Sequence, residues 1–411
     1  MRLLHFGLAM LFCASSLLAQ NKPLHGIDIN DLDRGARPCQ DFYEFANGNW
    51  RAHNPIPPSM TIWSKRWAAG ESTKEVLHGI LEEAAADSSS APPESTDRLI
   101  GDYYGACMDE KQIDAEGVKA LQRELDLIRS IGSVADLARA IRRLHEEAIF
   151  VPFFFGAMQD PHNPQQVIAD AGAGGLGLPD RDYYFKDDAK SKETRQKYVE
   201  HVAAMFGLAG SEKAAAAASA LVVMRMETAL AGASLTNVEL RDPYATDHKM
   251  NLDEVQKLTP DFKWAAYFRA LSVDPRVAFN VDQPKFMREF QQQLRQTSLA
   301  DWKTYLMWHL LDTAAPALST PFVEEDFAFY QHYLQGAKEM KPRWKRCVES
   351  TDANLGEALG KKYVEKTFSP EAKARMQEMV RNILAALHDD ILTLTWMRRH
   401  QAEGPGKTFH V

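Results

Sequence analysis

The chain has 411 residues, 45% of them hydrophobic and 25% charged, and a formal net charge of −8. That length suits two or three domains or one large layered domain. The composition is globular, which excludes a disordered, collagen-like or polytopic membrane protein. An acidic balance offers no basic surface to hold phosphates, so nucleic acid is not expected as a partner.

Residues 1–19 read MRLLHFGLAMLFCASSLLA. Arg2 precedes an apolar run, and Leu17 and Ala19 stand at positions −3 and −1 before Gln20. This is the pattern of a cleaved signal peptide, and the run is short for a membrane span. Cys13 follows Met10, Leu11 and Phe12, whereas a lipoprotein site wants a small residue before its cysteine. Loss of Arg2 with the leader takes the net charge from −8 to −9. No later stretch reads as membrane-spanning, so no membrane contact is expected after cleavage, and the location expected is secreted or periplasmic. Three cysteines then remain in an oxidising compartment: Cys39, Cys107 and Cys347. An odd number leaves one thiol without a partner, and the count does not say which.

Residues 20–58, rich in Asn, Asp, Gly and Pro, read as an extended, loop-rich lead-in. Helical patterning follows. Val118, Leu121, Leu125 and Ile128 share one face, and Ser133 with Asp136 resembles a capping box ahead of Leu137, Ile141 and Leu144. The Ala-rich stretch 212–231 predicts a buried helix. Further helices are expected over 285–296, 299–314, 323–340, 353–366 and 370–396. Only Ile149–Phe155 and Gln166–Ala169 read as strands, and 87–97 reads as an exposed loop. The fold class expected is mainly α, a large multi-helix domain with a few short strands.

A zinc hydrolase needs two histidines about one helical turn apart. The thirteen histidines here are scattered; the closest pair, His400 and His410, is ten residues apart. No H-E-x-x-H occurs. The nearest imitation, HEEAI from His145, lacks the second histidine and reads as a charged helix end. GAGGLG, Gly172–Gly177, matches G-x-G-x-x-G, but Pro179 and the polar triplet after it describe a turn rather than the helix start a dinucleotide needs. The adjacent pairs Glu146–Glu147 and Asp389–Asp390 point about 100° apart on a helix and read as solvated faces.

Five segments together resemble the neprilysin and endothelin-converting-enzyme family of zinc metallopeptidases in its N-terminal region. In order they are PCQDFYEFANGNW (Pro38–Trp50), DYYGACMDE (Asp102–Glu110), GGLGLPDRDYY (Gly174–Tyr184), ELRDPYATDHKM (Glu239–Met250) and WKRCVESTDANLGEALGKKYVEKTF (Trp344–Phe368). The third is the most specific, and the likeness runs over roughly 27–397. It implies a helical domain that roofs a thermolysin-like zinc domain, with short peptides bound between the two. In that zinc domain an H-E-x-x-H helix and a downstream Glu hold the metal, and the motif Glu activates the zinc-bound water.

None of those residues stands in this chain, so no catalytic or metal-ligating residue and no cofactor is expected in it. Zinc belongs to a catalytic domain expected to be missing here. The tail 398–411 departs from the family pattern. The organisation expected is therefore a signal peptide over 1–19, a lead-in over 20–58, a helical peptidase domain over 59–397 and a divergent tail. By resemblance Cys107 pairs with Cys347, and Cys39 has its partner in the missing domain. Asn47 stands where many animal members carry a further cysteine. Where some animal members place a carboxylate-binding Arg, this chain has Ile62, a possible substrate-chamber position beside Trp63, with Arg66 out of register. The function expected is a non-catalytic region of a peptidase, inactive alone. The alternatives are a stand-alone peptide-binding module and a non-functional remnant.

Overall fold

The structure, a computed structural model, describes residues 28–395 except 275 and 277. The expected signal peptide, the tail 398–411, and His400 and His410 lie outside the described residues. The chain divides into two compact units, Met1–Pro57 with Ile62–Glu75, and Pro58–Thr61 with Val76–Val411.

In the first unit the lead-in is not extended throughout: it contains α1, Phe42–His53. The reason is local. The Asp41 side chain caps α1 by accepting from Glu44 N at 2.8 Å, and Arg51 reaches back to Glu44 at 2.7 Å. Gly48 is the buried residue of α1, and a Cβ there would press on Asp33 and Glu44. The helix thus lies close on the preceding loop, where Asp33 N–H donates to Phe45 O at 2.9 Å. Lys65 pairs with Asp31 in the same unit. It opens α2, Lys65–Asp87, which runs on into the second unit.

The second unit continues with α3 (Thr96–Met108), α4 (Glu110–Glu116), α5 (Gln122–Arg129) and α6 (Val134–Glu146). A hairpin of β1 (Phe153–Asp160) and β2 (Asn163–Ala173) precedes α7 (Asp182–Phe185), α8 (Ala189–Leu208) and α9 (Lys213–Ala233). Next come β3 (Lys249–Met250), α10 (Leu252–Leu258), α11 (Trp264–Ala270) and β4 (Phe279–Val281). The remainder is α12 (Pro284–Gln296), α13 (Leu299–Ala314), α14 (Thr320–Asp326), a π-helical segment Phe327–Leu334, α15 (Arg343–Thr367) and α16 (Pro370–Thr393). The mainly α class is correct, with one small sheet in the order β1-β2-β4-β3. β1 and β2 are antiparallel, with Phe153 opposite Ala173. β2 runs parallel to β4, with Ala171 opposite Val281.

Three apolar clusters hold this unit. The largest joins the sheet to α5, α6, α9 and α11–α13. Its centre is aromatic: Phe153 lies 5.4 Å from the rings of Trp264 and Phe290 and 5.6 Å from Phe262. Such pairs add about 0.5–1.5 kcal/mol each beyond area burial. α6 enters it through Leu137, Ile141 and Leu144, behind a Ser133 cap on Asp136 N at 3.2 Å. The second cluster joins α8, α9, α13, α14 and the π segment. The third packs α2 and α3 against α15.

Several elements differ from expectation. The strands are longer than the apolar runs suggest, because pairing rather than composition sets their length. The helix expected over 323–340 becomes α14 and then a π turn, whose wider register carries Phe329 and Tyr330 onto His201 of α8, at 4.7 and 5.4 Å between rings. α15 starts ten residues before the expected 353 and bends at Leu355 (φ −130°, ψ 28°). Contrary to the hydropathy reading, α9 is long and apolar enough to cross a membrane by length and composition. Yet Ala216, Ala220, Val223, Met226, Leu230 and Ala231 are buried in the unit's own cores.

Candidate functional site

The glycine loop between β2 and α7 is held by side-chain hydroxyls from several helices. Gly175 has φ +66°, and a Cβ there would collide with the Tyr305 hydroxyl; one on Gly177 would collide with the Tyr198 hydroxyl. Glycine is needed because tyrosine hydroxyls reach the backbone itself. Tyr305 O–H donates to Gly175 O at 2.7 Å, and Tyr330 O–H faces Gly177 O at 3.1 Å. Leu178 N–H donates to the Tyr184 hydroxyl at 3.1 Å. The helix that follows has only four residues, so the loop is a packed turn and not a phosphate cradle.

Behind the loop stands Glu227 of α9, with no solvent exposure. Tyr184 O–H donates to its Oε2 and Tyr198 O–H to its Oε1, both at 2.8 Å. Trp308 Nε1–H lies 3.2 Å from Oε1 and 2.9 Å from the Tyr198 hydroxyl. His309 Nε2 is also 3.2 Å from Oε1 but is not aligned for a hydrogen bond. Burial first, and the Glu227 charge second, hold the Tyr184 and Tyr198 hydroxyls well above the ordinary tyrosine range. Both carboxylate oxygens are engaged and shut from water. This constellation therefore positions the loop and offers no open position to a reacting group.

A second acidic group lies where β2 meets β4. Asn280 Nδ2 has three acceptors: Asp170 Oδ1 at 3.0 Å, Asp282 Oδ1 at 2.8 Å and Thr246 O at 2.9 Å. Burial, then the charge of Asp170, push Asp282 up to about 7. The nearby acid disfavours a second negative charge on Asp282. Among the described residues no group of three or more His, Cys, Asp and Glu side chains is arranged to hold a metal ion.

The sequence-predicted residues do not converge. Cys107 of α3 and Cys347 of α15 are joined by a disulfide, with their Cα atoms 5.7 Å apart. Cys39 is a free, exposed thiol. Ile62 is 53% exposed, Trp63 is half-buried and Arg66 is exposed. Asn47 lies on α1 and donates to Tyr43 O at 3.0 Å. HEEAI is more than a charged helix end. Glu146 and Glu147 do pair with Arg142 and Arg143, but His145 turns into the core. Its Nε2–H donates to Val151 O at 2.9 Å, and its Nδ1 accepts from Tyr267 O–H at 2.6 Å. The carbonyl can only accept, which settles the tautomer. Sequence reading missed Glu227 and its tyrosines. The one available signal was that Glu227 is the single acid of the Ala-rich α9.

The family model described as peptidase family M13, in its N-terminal form, matches residues 38–403. Mouse endothelin-converting enzyme 1 is 27% identical over 385 residues, covering 90% of this chain and 49% of its own length. Neprilysin-3 of Drosophila melanogaster is 25% identical over 399 residues, covering 91% and 50%. The chain thus spans about half the length of the curated relatives it matches. Among solved structures, the zinc metalloprotease Zmp1 of Mycobacterium tuberculosis, in complex with an inhibitor, superposes with a TM-score of 0.84 at 29% identity. That match covers 92% of this chain and 57% of that one. The chain belongs to peptidase family M13 and corresponds to that family's N-terminal region.

Proposed function

We propose that residues 59–397 are the helical, non-catalytic region of a neprilysin-like zinc metalloendopeptidase, and that the polypeptide does not hydrolyse peptides by itself. The observation that carries this is the family match over 38–403 in a sequence of 411 residues that holds no H-E-x-x-H. In this reading the helical region is one wall of a chamber for short peptides. The other wall is a zinc domain, the only place where metal and water-activating groups act. Cys39 is the site of a bridge to that domain, and Ile62 is an apolar chamber position with no role in holding a carboxylate.

Two features support the reading. None of the α16 residues is buried, and Met376, Met379, Ile383 and Leu387 stand exposed along one stripe. That is the surface a further domain would cover. The Cys107–Cys347 disulfide suits an exported protein, secreted or periplasmic, with residues 1–19 as its signal peptide. The test is a quenched fluorescent peptide assay on the purified chain with added zinc, alongside metal analysis of the protein. No zinc-dependent cleavage and no stoichiometric zinc are expected. Cleavage that a chelator abolishes and zinc restores would overturn the proposal.

A further inference from the structure

Tyr330 carries one hydroxyl proton, yet two acceptors lie within reach of it: Asp312 Oδ1 at 2.9 Å and Gly177 O at 3.1 Å. With Asp312 ionised the hydroxyl can satisfy only one of them. Either a carbonyl or a carboxylate is then left without a protein donor at a half-buried site. With Asp312 protonated both bonds form. The carboxyl O–H donates to Tyr330 Oη, and Tyr330 O–H donates to Gly177 O.

The surroundings favour the neutral carboxyl. The charged groups acting on Asp312 are Asp326 of α14 and Glu227 of α9, both acids. The Tyr198 hydroxyl of α8 feels the charge of Asp312 but gives its own proton to Glu227. The two nearby histidines face other acids: His201 Nδ1 meets Glu325 Oε1 at 2.9 Å, and His309 Nε2 faces Glu227 at 3.2 Å. A second oddity lies at the same place. Tyr330 is in the π-helical segment, and such turns are rare and gather at functional sites.

We propose that Asp312 and Tyr330 form a proton-operated latch on the glycine loop, closed while Asp312 is protonated and open once it ionises. Closure joins the π segment to the loop at Gly177. Opening frees that carbonyl alone, because Gly175 stays bonded to Tyr305 and Leu178 to Tyr184. Burial, reinforced by Asp326 and Glu227, pushes Asp312 up to about 8. The latch is therefore closed at neutral pH and opens in mild alkali. It lies wholly within this chain and stands apart from the peptidase reading.

Hydrogen exchange by mass spectrometry tests it, on peptides covering 172–180, from pH 6 to 9.5. Exchange is expressed as protection relative to the intrinsic rate, so that the chemistry of exchange cancels. The Gly177 carbonyl carries no exchanging hydrogen, so the readout is local opening of the loop that Tyr330 anchors: wild-type amide protection should fall about tenfold across pH 8, the loss expected when one hydrogen bond no longer holds the loop closed. The Asp312→Asn chain, whose amide N–H can donate to Tyr330 in place of the carboxyl, should keep its protection throughout. Tyr330→Phe should show low protection at every pH. A flat wild-type profile, or an Asp312→Asn profile that falls as the wild type does, would overturn the latch. Should either variant fail to fold, the wild-type profile decides alone.

Discussion

Acid should destabilise this fold through one histidine. His145 is 7% exposed, and burial brings its imidazole down to about 4 from an ordinary value near 6.5. Charging the ring would cost it the acceptor role toward Tyr267 O–H. The sign follows from linkage. The unfolded chain takes up the proton first, so stability is whole above pH 6.5 and is lost as pH falls toward 4. With those two values the loss is about 2 kcal/mol between pH 7 and 5, and nearly 3 by pH 4. Other groups titrate over the same range, so a variant must isolate this one. His145→Gln keeps a donor for Val151 O and an acceptor for Tyr267 but has no proton to gain. Urea unfolding by tryptophan fluorescence, run on both proteins at pH 7, 6, 5 and 4.5, gives a difference curve. It should grow by about 2 kcal/mol from pH 7 to 5. Parallel stability curves for the two proteins would refute the buried neutral imidazole.

The Cys107–Cys347 bridge closes a loop of 240 residues. In the chain-entropy model that is worth about 5 kcal/mol. The double Ser variant should therefore unfold at markedly lower urea with a steeper dependence, and a change under about 1 kcal/mol would show that loop closure is not what the bridge contributes. Glu227→Ala leaves Tyr184 and Tyr198 without their acceptor, while Trp308 keeps the Tyr198 hydroxyl. At about 1–3 kcal/mol for each of the two orphaned donors, a loss of at least about 2 kcal/mol in the same assay is expected, and a loss below about 1 would mean that water or a neighbour replaces the carboxylate.

Much of the fold was legible because it is encoded within one turn of chain. The Ser133 cap and the Leu137–Ile141–Leu144 stripe are contacts among near neighbours, and periodicity exposes them. The same locality explains a failure: an overall Asn, Asp, Gly and Pro bias hid α1, although Asp41 and Glu44 carried its cap. β3 and β4 escaped because strands of two and three residues have no pattern of their own and exist only by pairing. The candidate site was the least legible part. Glu227 meets Tyr184, Tyr198 and Trp308 across 43, 29 and 81 residues, and no spacing rule reaches that far. HEEAI misled in the same way, since the Tyr267 that draws His145 inward is 122 residues on.

The sequence by itself determined the mainly helical class, the family motifs and their order, and the absence of an H-E-x-x-H in these 411 residues. Each of these is a property of residue types in succession. Tertiary structure alone decided which hydroxyls hold the glycine loop, that His145 is neutral and buried, and that a membrane-length apolar helix lies inside a core. Burial and hydrogen-bond partnership depend on distance in space, and packing brings together groups that lie more than a hundred residues apart in the chain.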